Sequence, residues 1–115
     1  MRILLDNCVN HRFGPLVDRH EIVHVRHLGW ADLTNGKLLS AAEEKGFQVL
    51  LTVDQNLRFQ QNLIDRVISL VTLDARSITL AGLTPFVPAL LEALLRIEQQ
   101  GETGQNVLVS LSKAP

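Results

Sequence analysis

Apolar residues fall in short blocks along this chain, and the blocks alternate with stretches of helical spacing. Ile3-Leu4-Leu5, Val49-Leu50-Leu51 and Ile68-Ser69-Leu70-Val71 are near-continuous apolar runs of strand length. Polar turn residues bound each run, the pattern of strands buried on both faces of a parallel sheet. They place strands at residues 2–6, 47–53 and 67–73. Residues 21–25 form a further strand, with Val23 and Val25 on one face and Ile22 and His24 on the other, and residues 106–111 form the last.

Between the strands the period changes. Phe13, Leu16 and Val17 mark a first short helix over 10–17, capped by Asn10 or Asn7 and weakened by Gly14-Pro15. Leu38, Leu39, Ala41 and Ala42 give helical spacing from Asn35 onward, and Gly46 is suited to end that helix. Leu57, Phe59 and Leu63 mark a short irregular helix over 54–63. Thr84 followed by Pro85 reads as an N-cap and first-turn proline, opening a helix that runs to about residue 100. Residues 101–104 read as a turn. The wide apolar face of the last helix is core, with part of it free to dock a partner.

Strands alternating with helices specify an α/β class with a mostly parallel sheet. Right-handed crossovers, with helices on both faces, make the order 2-1-3-4 economical, with the last strand on the far edge. Strands one and three are then neighbours. Asp6 and Asp54 flank the switch point at their carboxyl ends, where open α/β sheets bind ligands, and Asp74 lies one strand further out.

The 115 residues are enough for one domain. Hydrophobic residues at 46% and charged residues at 20% are ordinary for a globular fold. The net charge of -1 gives no global attraction to nucleic acid, so such a substrate needs a local basic patch or a metal ion. Cys8 is the only cysteine, which excludes a disulfide framework and fits a reducing cytosol. With a strand at the start and no uninterrupted apolar span of about 20 residues, the expectation is a soluble, unsecreted, cytoplasmic protein with no membrane partner.

Two or three carboxylates around one crevice repel one another unless a cation lies between them or one is protonated. Magnesium suits such a site, because it takes oxygen ligands and commonly uses one or two carboxylates plus substrate phosphates. Asn7, Thr52 and Asn56 add neutral polar groups nearby, and Arg58 or Arg76 could hold a phosphate. The competing account of either aspartate alone is a helix cap or turn residue. Asp74 is read equally as ligand or turn residue. His20, His24 and His27 are read as surface or loop histidines, Cys8 as a small buried residue, and Glu43 and Glu44 as a solvated helix face. Trp30 is read as a packing plug over a sheet edge. A receiver-like or nucleotide-binding domain fits the strand order, but no Gly-rich phosphate loop follows strand one.

Leu4-Leu5-Asp6, His24-Val25-Arg26-His27-Leu28-Gly29-Trp30-Ala31, Asn35-Gly36-Lys37-Leu38-Leu39, Leu51-Thr52-Val53-Asp54-Gln55-Asn56-Leu57, Phe59-Gln60-Gln61-Asn62-Leu63 and Ala75-Arg76-Ser77 together resemble a bacterial PIN-like family. That family is described as predicted nucleases of predicted toxin–antitoxin systems. The resemblance spans roughly residues 2–95, and 52–63 is its most specific part. It implies a compact three-layer α/β/α PIN-like fold and a magnesium- or manganese-dependent ribonuclease acting on RNA. A small antitoxin protein encoded nearby is the implied partner, and a homodimer is left open. Asp6 and Asp54 match the family's metal-binding aspartates. Asn35 and Asn7 stand where many members carry acidic residues, which leaves a smaller set of carboxylates. A catalytically degenerate module acting through a partner protein is the alternative.

Overall fold

Three strands of this protein are buried along almost their whole length, and they form the middle of the sheet. The computed structural model describes residues 1–101 and 103–111. Strands β1 (Arg2–Leu5), β2 (Glu21–His24), β3 (Val49–Thr52), β4 (Ser69–Leu73) and β5 (Asn106–Val109) form one sheet in the order β2-β1-β3-β4-β5. Every pairing is parallel, with Leu5 opposite Leu51 and Thr52 opposite Thr72. The expected order 2-1-3-4 with the last strand at the far edge is therefore observed, in a sheet that is parallel throughout. The two edge strands start exposed and become buried only at their last residue.

Strand alternation divides the core into two layers. Ile3, Leu5, Val49, Leu51, Val71 and Leu73 point to one side, where they meet Phe13 and the apolar face of α5 (Val87–Gln100). Leu4, Leu50 and Leu70 point to the other and pack on Leu38, Leu39 and Ala42 of α2 (Asn35–Glu44). Both faces of the sheet are thus covered by helices, which is why the central strands carry no polar alternation.

Several boundaries differ from the sequence reading, each for a local reason. The first helix is a 3₁₀ helix, His11–Leu16, because Pro15 inside it lacks the N–H that an α-helical ladder needs. Asn10 caps it, accepting from the Arg12 amide at 3.0 Å. β2 ends at His24, and Val25 instead begins α1 (Val25–Leu28). The His24 side chain is that helix's N-cap, and Gly29 ends it in the left-handed region at φ 71°.

Thr84 is not the start of the last helix. The chain is already helical in α4 (Leu80–Leu83), capped by Thr79, and Thr84 Oγ1 donates back to the Leu80 carbonyl at 2.7 Å. Pro85 then forces a 3₁₀ turn, Thr84–Phe86, before α5 resumes. The whole run Leu80–Gln100 is long and apolar enough to cross a membrane by composition alone. Its Leu83, Phe86, Leu90, Leu94 and Ile97 are nevertheless buried against the sheet, as in a core helix. The short helix expected over 54–63 is α3 (Leu57–Gln60). Of the expected turn at 101–104, Gly101 and Gly104 both have φ 64°, and Glu102 lies outside the described residues.

A candidate acidic site at the carboxyl ends of the central strands

β1 and β3 end side by side, and the ladder runs one residue further, with the Asp6 amide donating to the Leu51 carbonyl at 2.9 Å. Asp6 therefore leaves the sheet beside Thr52. Thr52 Oγ1 donates to Asp6 Oδ2 at 2.8 Å and accepts from the Asp54 amide at 3.0 Å. Thr52 is fully buried, so this hydroxyl fixes both strand ends from within the core. Asp6 and Asp54 both line a crevice of about 240 Å³, together with Asn7, Cys8, Trp30 and Asn35. Asn35 is the first residue of α2, so the positive end of that helix borders the two carboxylates.

Each aspartate also does local backbone work. Asp6 Oδ1 accepts from the Asn7 amide at 2.8 Å, and Asp54 Oδ1 accepts from the Asn56 amide at 3.0 Å. The turn-residue account thus holds for both side chains, and the same two side chains line the crevice. Asp54 Oδ2 has no hydrogen-bond partner among the described residues.

Asp74 is placed differently. It directly follows β4, but Gln55 Nε2 donates to its Oδ1 at 2.6 Å and Ser110 Oγ donates to its Oδ2 at 3.3 Å. It does not line the crevice with Asp6 and Asp54. Asn56 meets the site through its backbone amide alone. Arg58 lies away from it, with its carbonyl held by Asn106 Nδ2 at 2.8 Å and its guanidinium over the Phe59 ring at 4.8 Å. Asn106 pairs opposite Leu70, near the amino end of β4, so Arg58 sits toward the wrong end of the strands to reach the aspartates. Arg76 is exposed on the loop after β4 and does not line the crevice.

Cys8 was expected to be a small buried residue, and it is an exposed one at the crevice rim. Its sulfur turns inward, 3.4 Å from Thr52 Oγ1 and 3.6 Å from Asp6 Oδ2. Desolvation raises the thiol's pKa above its ordinary value and the Asp6 charge adds to this, while bonds to Thr52 and the Val53 backbone oppose it. The group is therefore a neutral thiol beside the acidic pair, and its position two residues after Asp6 was the available clue.

His24 is buried, not a surface or loop residue. Its Nδ1 accepts from the Arg26 amide at 3.1 Å, which leaves Nε2 to donate to the Val9 carbonyl at 2.7 Å. Glu43 is likewise no solvated side chain, since it binds Arg66 Nη1 at 2.6 Å and the Val67 amide at 2.6 Å. Trp30 packs edge-to-face on Phe47 at 6.4 Å on the α2 side of the core and borders the crevice. Among the described residues, no group of three His, Cys, Asp or Glu side chains is gathered to hold a metal ion.

The two crevice carboxylates still suit magnesium or manganese, because a hard cation that keeps several waters needs only one or two of them. Asp54 Oδ2 carries no hydrogen bond among the described residues, and Asn7 and Asn35 line the same crevice. No family model, no curated protein and no solved structure matches the chain.

Proposed function

We propose that this protein is a metal-dependent ribonuclease, the toxin component of a toxin–antitoxin pair, with a PIN-like fold. The observation that carries the reading is the paired attachment of Asp6 and Asp54 to one buried Thr52 hydroxyl at the mouth of one crevice. A hydroxyl buried at this point is a costly device unless satisfied, and here it holds one carboxylate and aligns the backbone carrying the second.

In this reading Asp6 and Asp54 hold a magnesium or manganese ion, with Asn7 and Asn35 contacting its waters or the substrate. The ion, when bound, supplies charge stabilisation for a phosphodiester under attack and orients water. Thr52 is a positioning residue, fixing the Asp6 carboxylate through Oδ2 and the Asp54 backbone through its amide. Cys8, neutral and beside Asp6, narrows the rim without adding charge. A small antitoxin protein encoded nearby is the partner, and cytoplasmic RNA the substrate.

One observation favours a second reading. Asp74 is already engaged by Gln55 and Ser110, which leaves two carboxylates at the crevice. A domain with so few acidic ligands also suits a non-catalytic module that acts through a bound partner.

The test is RNA cleavage in magnesium or manganese by wild type, Asp6→Asn and Asp54→Asn. Ion-dependent cleavage that disappears in both variants supports the nuclease. Cleavage unchanged in both variants sinks it. A stable complex with the neighbour-encoded protein, with no cleavage and no stabilisation by either ion, supports the module.

A further inference from the structure

The acidic crevice does not close at Cys8. Asn7 and Cys8 also line a second cleft, of about 500 Å³, together with His11, Arg12, His24 and Arg26. Among the described residues, no carboxylate lines this cleft. A third, of about 610 Å³, adjoins it, sharing His11, Arg12 and His24 and including Arg19, His20 and His27. Asp18 is the single acidic residue there among the described residues. In a chain of net charge -1, this is a local concentration of cations and imidazoles, next to the crevice of the two aspartates.

The cationic wall is built, not incidental. Buried His24 caps α1 by accepting the Arg26 amide, which fixes where Arg26 leaves the backbone. Arg26 Nη1 then donates to His11 Nδ1 at 2.9 Å, so His11 is held as an acceptor. Desolvation lowers the His11 pKa, and the Arg26 and Arg12 charges lower it further, which keeps the ring neutral. Asn10 caps the 3₁₀ helix through the Arg12 amide and fixes the second arginine in the same way. Among the described residues, neither Arg12 nor Arg26 has a carboxylate partner within 4.0 Å.

Guanidiniums that line a cleft without a carboxylate partner select an anion, and their planar donor forks suit phosphate oxygens. A lone phosphate would not need a cleft that runs on past both arginines toward a nucleolytic pair; a polyanionic strand would.

We propose that this cleft binds the phosphodiester backbone of single-stranded RNA, with Arg12 and Arg26 as its phosphate contacts, leading the strand across Asn7 and Cys8 to the acidic pair. The inference rests on the ribonuclease reading of Asp6 and Asp54. The cleft supplies the local basic surface that the overall charge lacks, and contacts of this kind give affinity without reading sequence.

The experiment is fluorescence anisotropy with a short labelled single-stranded RNA over a salt series, in EDTA so that no cleavage intrudes. Arg12→Gln/Arg26→Gln is expected to bind at least about tenfold more weakly, with a salt slope lower by about 1–2. Arg12→Lys/Arg26→Lys keeps the wild-type salt slope, because lysine retains the charge, and binds between wild type and the glutamine variant, because it lacks the planar fork. Arg96→Gln, on α5 and paired to Glu92, binds as wild type. Wild type that fails to bind the RNA, or a glutamine double variant with unchanged affinity and slope, overturns the proposal.

The two readings fail separately. Ion-dependent cleavage with arginine-independent binding removes the cleft and leaves the nuclease. Arginine-dependent binding without cleavage in either ion does the reverse.

Discussion

Thr52 Oγ1 and Asp6 Oδ2 lie 2.8 Å apart on neighbouring strands, and the same hydroxyl accepts the Asp54 amide at 3.0 Å. One fully buried side chain thus ties together both strand ends that carry the candidate site. Thr52→Val keeps the shape and removes both bonds, leaving the Asp54 N–H without its partner. The expected cost is about 1–3 kcal/mol in urea unfolding at neutral pH. An unchanged urea midpoint would show that the hydroxyl does not hold the two ends.

If Asp6 and Asp54 hold a divalent ion, manganese must raise the melting temperature by mass action. At a hundredfold excess over Kd the gain is about 2.7 kcal/mol, or roughly 10 °C for a chain of this size. Asp54→Asn and Asp6→Asn should each remove most of that rise, while Asp74→Asn, outside the crevice, should keep it. A full rise in either crevice variant would put the ion elsewhere.

Glu43 and Arg66 predict a pH dependence. Burial alone would raise the Glu43 pKa, but the Val67 amide, the Arg66 guanidinium and the Ile68 amide together hold it below 4.5. A depressed carboxyl pKa contributes stability that is present above the unfolded value and lost as pH falls through the folded one. Glu43→Gln should therefore cost about 1–2 kcal/mol at pH 7. Its deficit against wild type should shrink as pH drops below about 4.5. A deficit that stays constant from neutral pH to acid would mean that Glu43 acts by packing and not by charge.

The same contact shows where sequence reading stops. Apolar runs such as Ile3-Leu4-Leu5 and Val49-Leu50-Leu51 disclosed the buried strands, because burial on both faces leaves no other pattern. The crossover rule then put Asp6 beside Asp54. What escaped were side-chain contacts between distant segments. Glu43 meets residues more than twenty positions away, and Gln55 reaches Asp74 across nineteen. His24 left its expected role because Val25 turns into a helix that needs a cap. Arg58 lies four positions after Asp54 in sequence, yet α3 carries it back along the sheet toward Asn106. Spacing along the chain reports which face a residue takes and says little about where a short helix delivers it.

Gly104 and Gly101 share a φ of 64° but differ in surroundings. A Cβ on Gly104 would stand 2.5 Å from the Leu63 carbonyl oxygen and 2.8 Å from that of Arg66, both backbone atoms that cannot swing aside. A Cβ on Gly101 meets no heavy atom within 4 Å among the described residues. Gly101→Ala should thus cost only the left-handed backbone penalty, about 1 kcal/mol. Gly104→Ala adds a clash with the loop that feeds β4, for a total of about 2–4 kcal/mol. Urea unfolding of the two variants side by side separates these terms. Equal losses would mean that the 63–66 loop moves away freely, so that the approach of Gly104 to it does not constrain how β5 docks on β4.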